Sequence, residues 1–269
     1  MSVTATSLDQ ALSARRLGPG RHELLVPDGW QQGRGAFGGL VLGGMVRAIT
    51  SESGDTARRL RSLTAEIVGP VQVGPATIEV ELLRRGSAVS TLRAVLRQGD
   101  ETLAHAVAVL GSARPGAPSW QRLPPPVMPS WQETPEIPDD HPFLPVFARH
   151  FEYRPVGPPP FMGADEPTAS GWLRPRARAE RRDDAYLTSL ADVWWLAGAA
   201  VFEGPRPFAT IAFSLELLAP VDDLPLDTPF FHRAVAPAAS EGYVSEYREL
   251  WAPDGRLLAL NHQVMVVIK

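Results

Sequence analysis

The chain has 269 residues, 44% hydrophobic and 21% charged, which fits a folded globular protein of one large domain or two small ones. Its net charge of −4 argues against a general nucleic-acid binder, and the lack of cysteine excludes disulfides, thiolate metal sites and cysteine nucleophiles. The same lack fits a reducing, cytoplasmic setting. The opening stretch MSVTATSLDQALSARRLG has no apolar core of the kind a signal peptide needs. The longest apolar runs, FGGLVLGGMV and VWWLAGAAVF, are shorter than the roughly 20 residues that cross a bilayer.

In chain order, GRHELLV and a turn-rich patch lead to GGLVLGGMVRAI, a segment of helical length that is apolar nearly all round. A helix of that kind is surrounded by protein. Four runs with strand character follow: SLTAEIVGPV, ATIEVELLRR, AVSTLRAVLRQ and ETLAHAVAVLG. The second alternates cleanly, with Ile78, Val80 and Leu82 on one side and Thr77, Glu79 and Glu81 on the other. Fourteen of the 27 prolines then fall between Pro115 and Pro160, so this region can hold neither a regular helix nor a central strand. It reads as a semi-rigid connector whose aromatic residues pack along the surface.

The second half repeats the order. HFEYRP and GWLRPR read as short strands, and LTSLADVWWLAGAAVF as the apolar helix, with Asp192 in its first turn. The strand runs FATIAFSLELLAP, TPFFHRAVAP, GYVSEYRELWAP and GRLLALNHQVMVVIK complete it. A helix and an antiparallel meander given twice make an internal repeat. The expected class is α+β, with each half's sheet wrapped round a central helix and the two sheets joined edge to edge. The expected divisions are residues 1–112, a connector over 113–147, and 148–269.

The halves superpose by sequence: FGGLVLGGM on LADVWWLAG, SLTAEIVGPV on AFSLELLAPV, and LAHAVAV on LALNHQV. A polar residue that the fold requires belongs in both copies. Asp192, Thr210 and Gln263 instead fall opposite Gly39, Leu60 and Ala108. A carboxylate in apolar surroundings has its charged form disfavoured, which moves it toward the range of a general base. A hydroxyl and an amide beside it could hold a water. Each residue also has a plain structural reading: a helix cap for Asp192, strand propensity for Thr210, and a solvent-facing position for Gln263.

These segments carry a family resemblance. GRGAFGGLVLGGMVRAI, FEYRPVG, GWLRPR, DDAYLTSLADV, ATIAFSLELLAP and DGRLLALNHQ resemble the type II acyl-CoA thioesterases, which have a double hot-dog fold. The likeness covers nearly the whole chain. It implies hydrolysis of a fatty acyl-CoA by water, with Asp192 as base and Thr210 and Gln263 orienting the water. No metal or organic cofactor is implied, since coenzyme A belongs to the substrate. The bacterial medium- and long-chain enzymes carry Asp-His after Thr-Ile, where this chain has Ala212 and Phe213. Trp194 and Trp195, close behind the aspartate, could narrow an acyl pocket.

Gly43 and Gly44 are expected to let the first helix lie close to its sheet. Gly38 and Gly39 open that helix, where free N–H groups favour an oxyanion, and Gly39 is the candidate donor to the thioester carbonyl. Arg58, Arg59 and Arg61 read either as a solvated basic turn or as contacts to coenzyme A phosphates. His105 and His262 have no metal-ligand spacing. The expectation is therefore a cytoplasmic acyl-CoA thioesterase, with a homodimer plausible. Two competitors stand beside it: a non-catalytic acyl-binding protein, and a hot-dog hydratase or dehydratase.

Overall fold

The computed structural model describes residues 6–142 and 144–268. Residues 1–5 of the opening stretch, Phe143 of the connector and Lys269 at the end of the last strand run lie outside the described residues. The first half contains α1 (Leu8–Ala11), β1 (Ala14–Gly18), β2 (Arg21–Val26), a small hairpin of β3 (Gln31–Gln32) and β4 (Gly35–Ala36), and the central α2 (Gly38–Ser53). The meander β5 (Arg58–Ile67), β6 (Gly74–Arg85), β7 (Val89–Gln98) and β8 (Glu101–Ser112) follows. The second half contains β9 (Phe151–Pro155), β10 (Thr168–Pro175), α3 (Asp184–Asp192), and β11 (Phe208–Leu217) through β14 (Leu257–Val267), with β12 at Phe230–Ser240 and β13 at Tyr243–Trp251.

Twelve strands form one sheet in the order β1-β2-β6-β7-β8-β5-β11-β14-β13-β12-β10-β9. Each half contributes six, and β5 meets β11 edge to edge. At that seam Thr64 pairs with Ser214, its own counterpart in the repeat, so a local twofold axis passes between them. The irregularities repeat as well. The β5–β8 ladder slips between Leu60 and Ser62, and the β11–β14 ladder slips between Thr210 and Ala212, the equivalent place. This is the double hot-dog arrangement, and joining the sheets at the seam removes one exposed edge from each half.

The two helices pack on each other inside the curved sheet. Gly39 and Gly43 make that approach possible: a Cβ on Gly39 would lie 2.6 Å from the Ser189 carbonyl oxygen, and one on Gly43 would lie 2.9 Å from that of Ala185. Gly44 lies close to Leu24 of β2 in the same way. Gly44 thus allows the expected approach of helix to sheet, whereas Gly43 serves the contact between the two helices.

The second helix differs from expectation. It does not run through LTSLADVWWLAGAAVF but ends at Asp192, and a separate 3₁₀ turn forms at Ala197–Val201. Asp183 caps its N-terminus by accepting from the Tyr186 N–H, so Asp192 lies at the C-terminal end and not in the first turn. The aromatic residues explain the break. Trp194 stacks on His232 with ring planes 9° apart, and its centroid lies 4.6 Å from that of Trp195, which stacks on Tyr153. Consecutive helical positions do not face each other in this way. Side chains take up the backbone groups released at the break. Tyr153 donates to the Val193 carbonyl, Arg248 approaches that of Ala191, and Glu246 accepts the Ala197 N–H.

The helix starts also revise the repeat alignment. Phe37 and Asp183 occupy equivalent cap positions, which sets Asp192 opposite Val46 rather than Gly39. Val46 is fully buried, so the contrast of a carboxylate with an apolar residue stands. The connector packs on the outer face of the second half: Leu123, Met128 and Trp131 cover Trp172, Phe231, Trp251 and Leu257. Trp172 donates to the Pro129 carbonyl at 2.8 Å, and Arg154 and Arg174 lie over the Trp131 ring. Trp120 is exposed.

Candidate active site

The inner face of the second half carries a row of buried polar side chains that the first half lacks. Strand register fixes the comparison. In β7 and β8, Leu92 pairs with Ala108 and Ala94 with Ala106; in β13 and β14, Glu246 pairs with Gln263 and Arg248 with Asn261. In β6, Ile78 pairs with Leu96; in β12, His232 pairs with Leu250. Five apolar residues of one copy are thus replaced by Glu246, Gln263, Arg248, Asn261 and His232 in the other, each at most 3% exposed. Buried polar groups are costly unless they are paired, so a fold that closes without them in one half has no structural need of them in the other.

Gln263 is the hub of the row. Its Nε2 donates to Asp192 Oδ1 at 2.9 Å and to Asn261 Oδ1 at 2.8 Å, and its Oε1 accepts from Thr210 Oγ1 at 2.8 Å. Asn261 is itself fixed by donating to the Ser214 carbonyl at 2.7 Å. The structure therefore joins Asp192, Thr210 and Gln263 in one network. Asp192 and Gln263 are buried, and Thr210 is half-buried at the edge.

Asp192 sits at the negative end of its own helix, the unfavourable end for a carboxylate. What offsets this is the N-terminus of α2, from the other half. The N-cap residue of α2, Phe37, offers no capping side chain, and the Gly39 N–H at that end faces the Asp192 carboxylate and favours its charged form. Gly38 lies so close that a Cβ there would sit 2.7 Å from Asp192 Oδ2. The donor expected to meet a thioester oxygen thus faces the carboxylate in this structure.

Burial raises the Asp192 carboxyl above the usual carboxylate range and is the largest influence on it. Arg248, the Gln263 amide and the Gly39 N–H oppose that rise. Arg248 Nη1 lies 3.7 Å from Asp192 Oδ1, while its Nε donates to Glu246 Oε1 at 2.7 Å. Asp192 in turn helps hold the buried Tyr153 phenol well above its ordinary value, behind the larger effect of burial. His232 is driven well below the ordinary imidazole value, first by burial and then by Arg248, so its ring is neutral.

Glu246, Arg248, Asn261 and His232 escaped the sequence reading. The signal was there: extending the repeat comparison to β12 and β13 sets them against Leu92, Ala94, Ala106 and Ile78. Other candidates lie apart from the site. Arg58 is buried and bonds Asp55, Ser90 and the Gly86 and Ser87 carbonyls. Arg59 pairs with Asp184 and Asp222, and Arg61 donates to the Gly111 carbonyl. These arginines brace the protein itself. His105 pairs with Glu66 and His262 bonds Ser245. Among the described residues no group of three His, Cys, Asp or Glu side chains could hold a metal, and no helix is long and apolar enough to cross a membrane.

Comparison with known proteins places this geometry in context. Residues 121–267 match the family model described as the acyl-CoA thioesterase C-terminal domain, and residues 26–111 match that of the N-terminal domain. No curated protein sequence matches the chain. Among solved structures, a hot-dog protein of unknown function from Alicyclobacillus acidocaldarius superposes with a TM-score of 0.88 at 22% identity, covering 97% of this chain and 98% of that one. The acyl-CoA thioesterase II TesB2 of Mycobacterium marinum gives 0.78 at 17% identity, with the same coverages. The tesB protein of Mycobacterium avium subspecies paratuberculosis gives 0.79, also at 17% identity and with the same coverages. Likenesses at these identities establish the fold.

Proposed function

Since the chain belongs to the acyl-CoA thioesterase family, as the match to its C-terminal half and the companion match before it show, we propose that it hydrolyses a fatty acyl-CoA to the free acid and coenzyme A. The observation that carries this reading is the single network through Gln263, which ties the buried Asp192 carboxylate to the Thr210 hydroxyl.

Asp192 is the general base. It takes a proton from a water that attacks the thioester carbonyl carbon, and the C–S bond breaks as the tetrahedral adduct collapses. The coenzyme A thiolate leaves and is protonated, and the other product is the carboxylic acid. Burial suits Asp192 to this part because a base is most effective when its pKa lies near the working pH. Gln263 spends its amide hydrogens on Asp192 and Asn261, leaving Asp192 Oδ2 as the proton-accepting oxygen. Thr210, at the half-buried rim, holds the water toward that oxygen. Gly39, at the N-terminus of α2, serves the developing oxyanion once Asp192 has taken its proton and its charge no longer claims that N–H. No step calls for a metal or an organic cofactor. The reading puts the protein in cytoplasmic lipid metabolism and proposes a homodimer as its assembly.

A panel of acyl-CoA thioesters of varied chain length, assayed for release of free thiol, tests this reading. Thiol release with at least one member is the expected result. Tight binding of the panel with no thiol release would replace the hydrolase with an acyl-binding protein. Loss or gain of a double bond with the thioester intact would replace it with a hydratase or dehydratase.

A further inference from the structure

Arg248 and Glu246 form the most deeply buried ion pair described here, with side chains 2% and 0% exposed, and both occupy positions that are apolar in the first half. A buried pair of this kind adds little stability over well-packed apolar residues. The first half shows that Leu92 and Ala94 fill the same two places. The geometry around the pair is specific. Glu246 Oε1 holds the guanidinium by its Nε at 2.7 Å, and Glu246 Oε2 is anchored by the Ala197 N–H at 2.6 Å, in the chain just past the helix break. Arg248 Nη1, pulled toward the Ala191 carbonyl at 3.5 Å, stops 3.7 Å from Asp192 Oδ1. That gap is too long for a hydrogen bond, whereas a direct ion pair closes to about 2.8 Å.

We propose that Glu246 and Arg248 are positioning residues for Asp192: Glu246 ties the guanidinium back, so that its charge faces the carboxylate across a gap without bonding it and Oδ2 can still take a proton. A guanidinium free to close on Asp192 would form a charge-assisted bond and make the carboxylate a weak base. With no guanidinium at all, burial would act without an opposing cation and push the carboxyl further toward its protonated form, which cannot act as a base. The tether holds Asp192 between these extremes. The other groups facing this cluster are Tyr153 from β9, His232 from β12 beside Arg248, and the N-terminus of α2 at Gly39. Tyr153 and His232 are both uncharged near neutral pH, so the balance is set by the guanidinium and by the Glu246 carboxyl, which burial raises and Arg248 holds down.

The inference rests on Asp192 being the base, but its primary readout does not require turnover. The titration midpoint of the Asp192 carboxyl carbon, followed by NMR in the full chain, is compared for wild type, Glu246→Gln, Arg248→Met and the double variant. The expected order, from highest midpoint to lowest, is Arg248→Met, double variant, wild type, Glu246→Gln, with the two single variants displaced in opposite directions by about one pH unit or more. The acid limb of kcat/KM moves with the midpoint in each active variant, and Arg248→Lys returns the midpoint toward wild type. Midpoints that stay together, or single variants that shift in the same direction, would overturn the tether. If either single variant fails to fold, the double variant, which leaves neither member of the Glu246–Arg248 pair buried alone, decides the matter. Its midpoint lies above wild type if the proposal holds, and an unchanged midpoint refutes it. A wild-type protein that releases no thiol yet shows the predicted order would defeat the hydrolase reading and leave the tether standing.

Discussion

Gln263 has one amide and three partners, and this fixes which way it points. Its two amide hydrogens go to Asp192 and Asn261, and its oxygen accepts from Thr210, so the reverse orientation would set its oxygen against two acceptors. An amide locked in this way orients groups and does not itself exchange protons. Gln263→Ala should therefore lower kcat by roughly tenfold or more while KM changes little. A rise in KM at constant kcat would make Gln263 a substrate-binding residue. Residue by residue, the sequence disclosed Asp192, Thr210 and Gln263 because each has an apolar or glycine partner in the first copy. It hid Glu246 and Arg248 because β13 reads YVSEYRELW, and turning the face of Tyr243, Tyr247 and Trp251 inward would put Glu246 and Arg248 outward. The register reverses this. Val244, Glu246, Arg248 and Leu250 are buried, while Tyr243 and Tyr247 are exposed.

At the scale of elements, the strands were legible and the second helix was not. Strand ends are marked by turns such as QGDE and APDG, and period-two patterning survives in each run. LTSLADVWWLAGAAVF has the length and apolarity of one helix, and what breaks it is the stacking of Trp194 and Trp195 on rings from β12 and β9. Such contacts join residues far apart in sequence, so no local pattern announces them. The helix–helix contact gives a prediction. In Gly43→Ala the new Cβ meets the Ala185 carbonyl, which cannot yield as a flexible side chain would. Overpacking costs of about 1–3 kcal/mol exceed the helix-propensity gain of about 1 kcal/mol. The denaturation midpoint should fall, and an unchanged or higher midpoint would show that the helices can separate at little cost.

The neutral His232 gives a second element-scale prediction. Its folded pKa lies well below the ordinary value of 6.5, so the unfolded chain binds the extra proton and the folded chain does not. Its contribution to stability is therefore complete above about pH 6.5 and is lost progressively as pH falls below that value. His232→Ile installs the residue type found at the equivalent Ile78 and removes this loss. The drop in melting temperature between pH 7 and pH 5 should be smaller in the variant. An equal drop would mean that His232 is not the buried neutral group described here.

At the scale of the whole molecule, the two halves share a frame but divide the labour. The local twofold at the Thr64–Ser214 seam relates their strands and even their ladder slips, yet the row Glu246, Arg248, Asn261, Gln263 and His232 of the second half faces apolar residues in the first. The site still needs both halves, since Asp192 comes from α3 and the N-terminus that meets it belongs to α2. The proposed function therefore gives one site per chain, although the fold is doubled. The overall architecture was readable because repetition is a property of sequence. The meeting of α2 with Asp192 was not, because it depends on how two helices cross. The most direct test of this account is single-turnover thiol release by Asp192→Asn on the best substrate of the panel, with folding verified by melting temperature and circular dichroism. The account predicts a rate at least about a hundredfold below wild type in a folded protein. A folded variant that hydrolyses the thioester at the wild-type rate would contradict it.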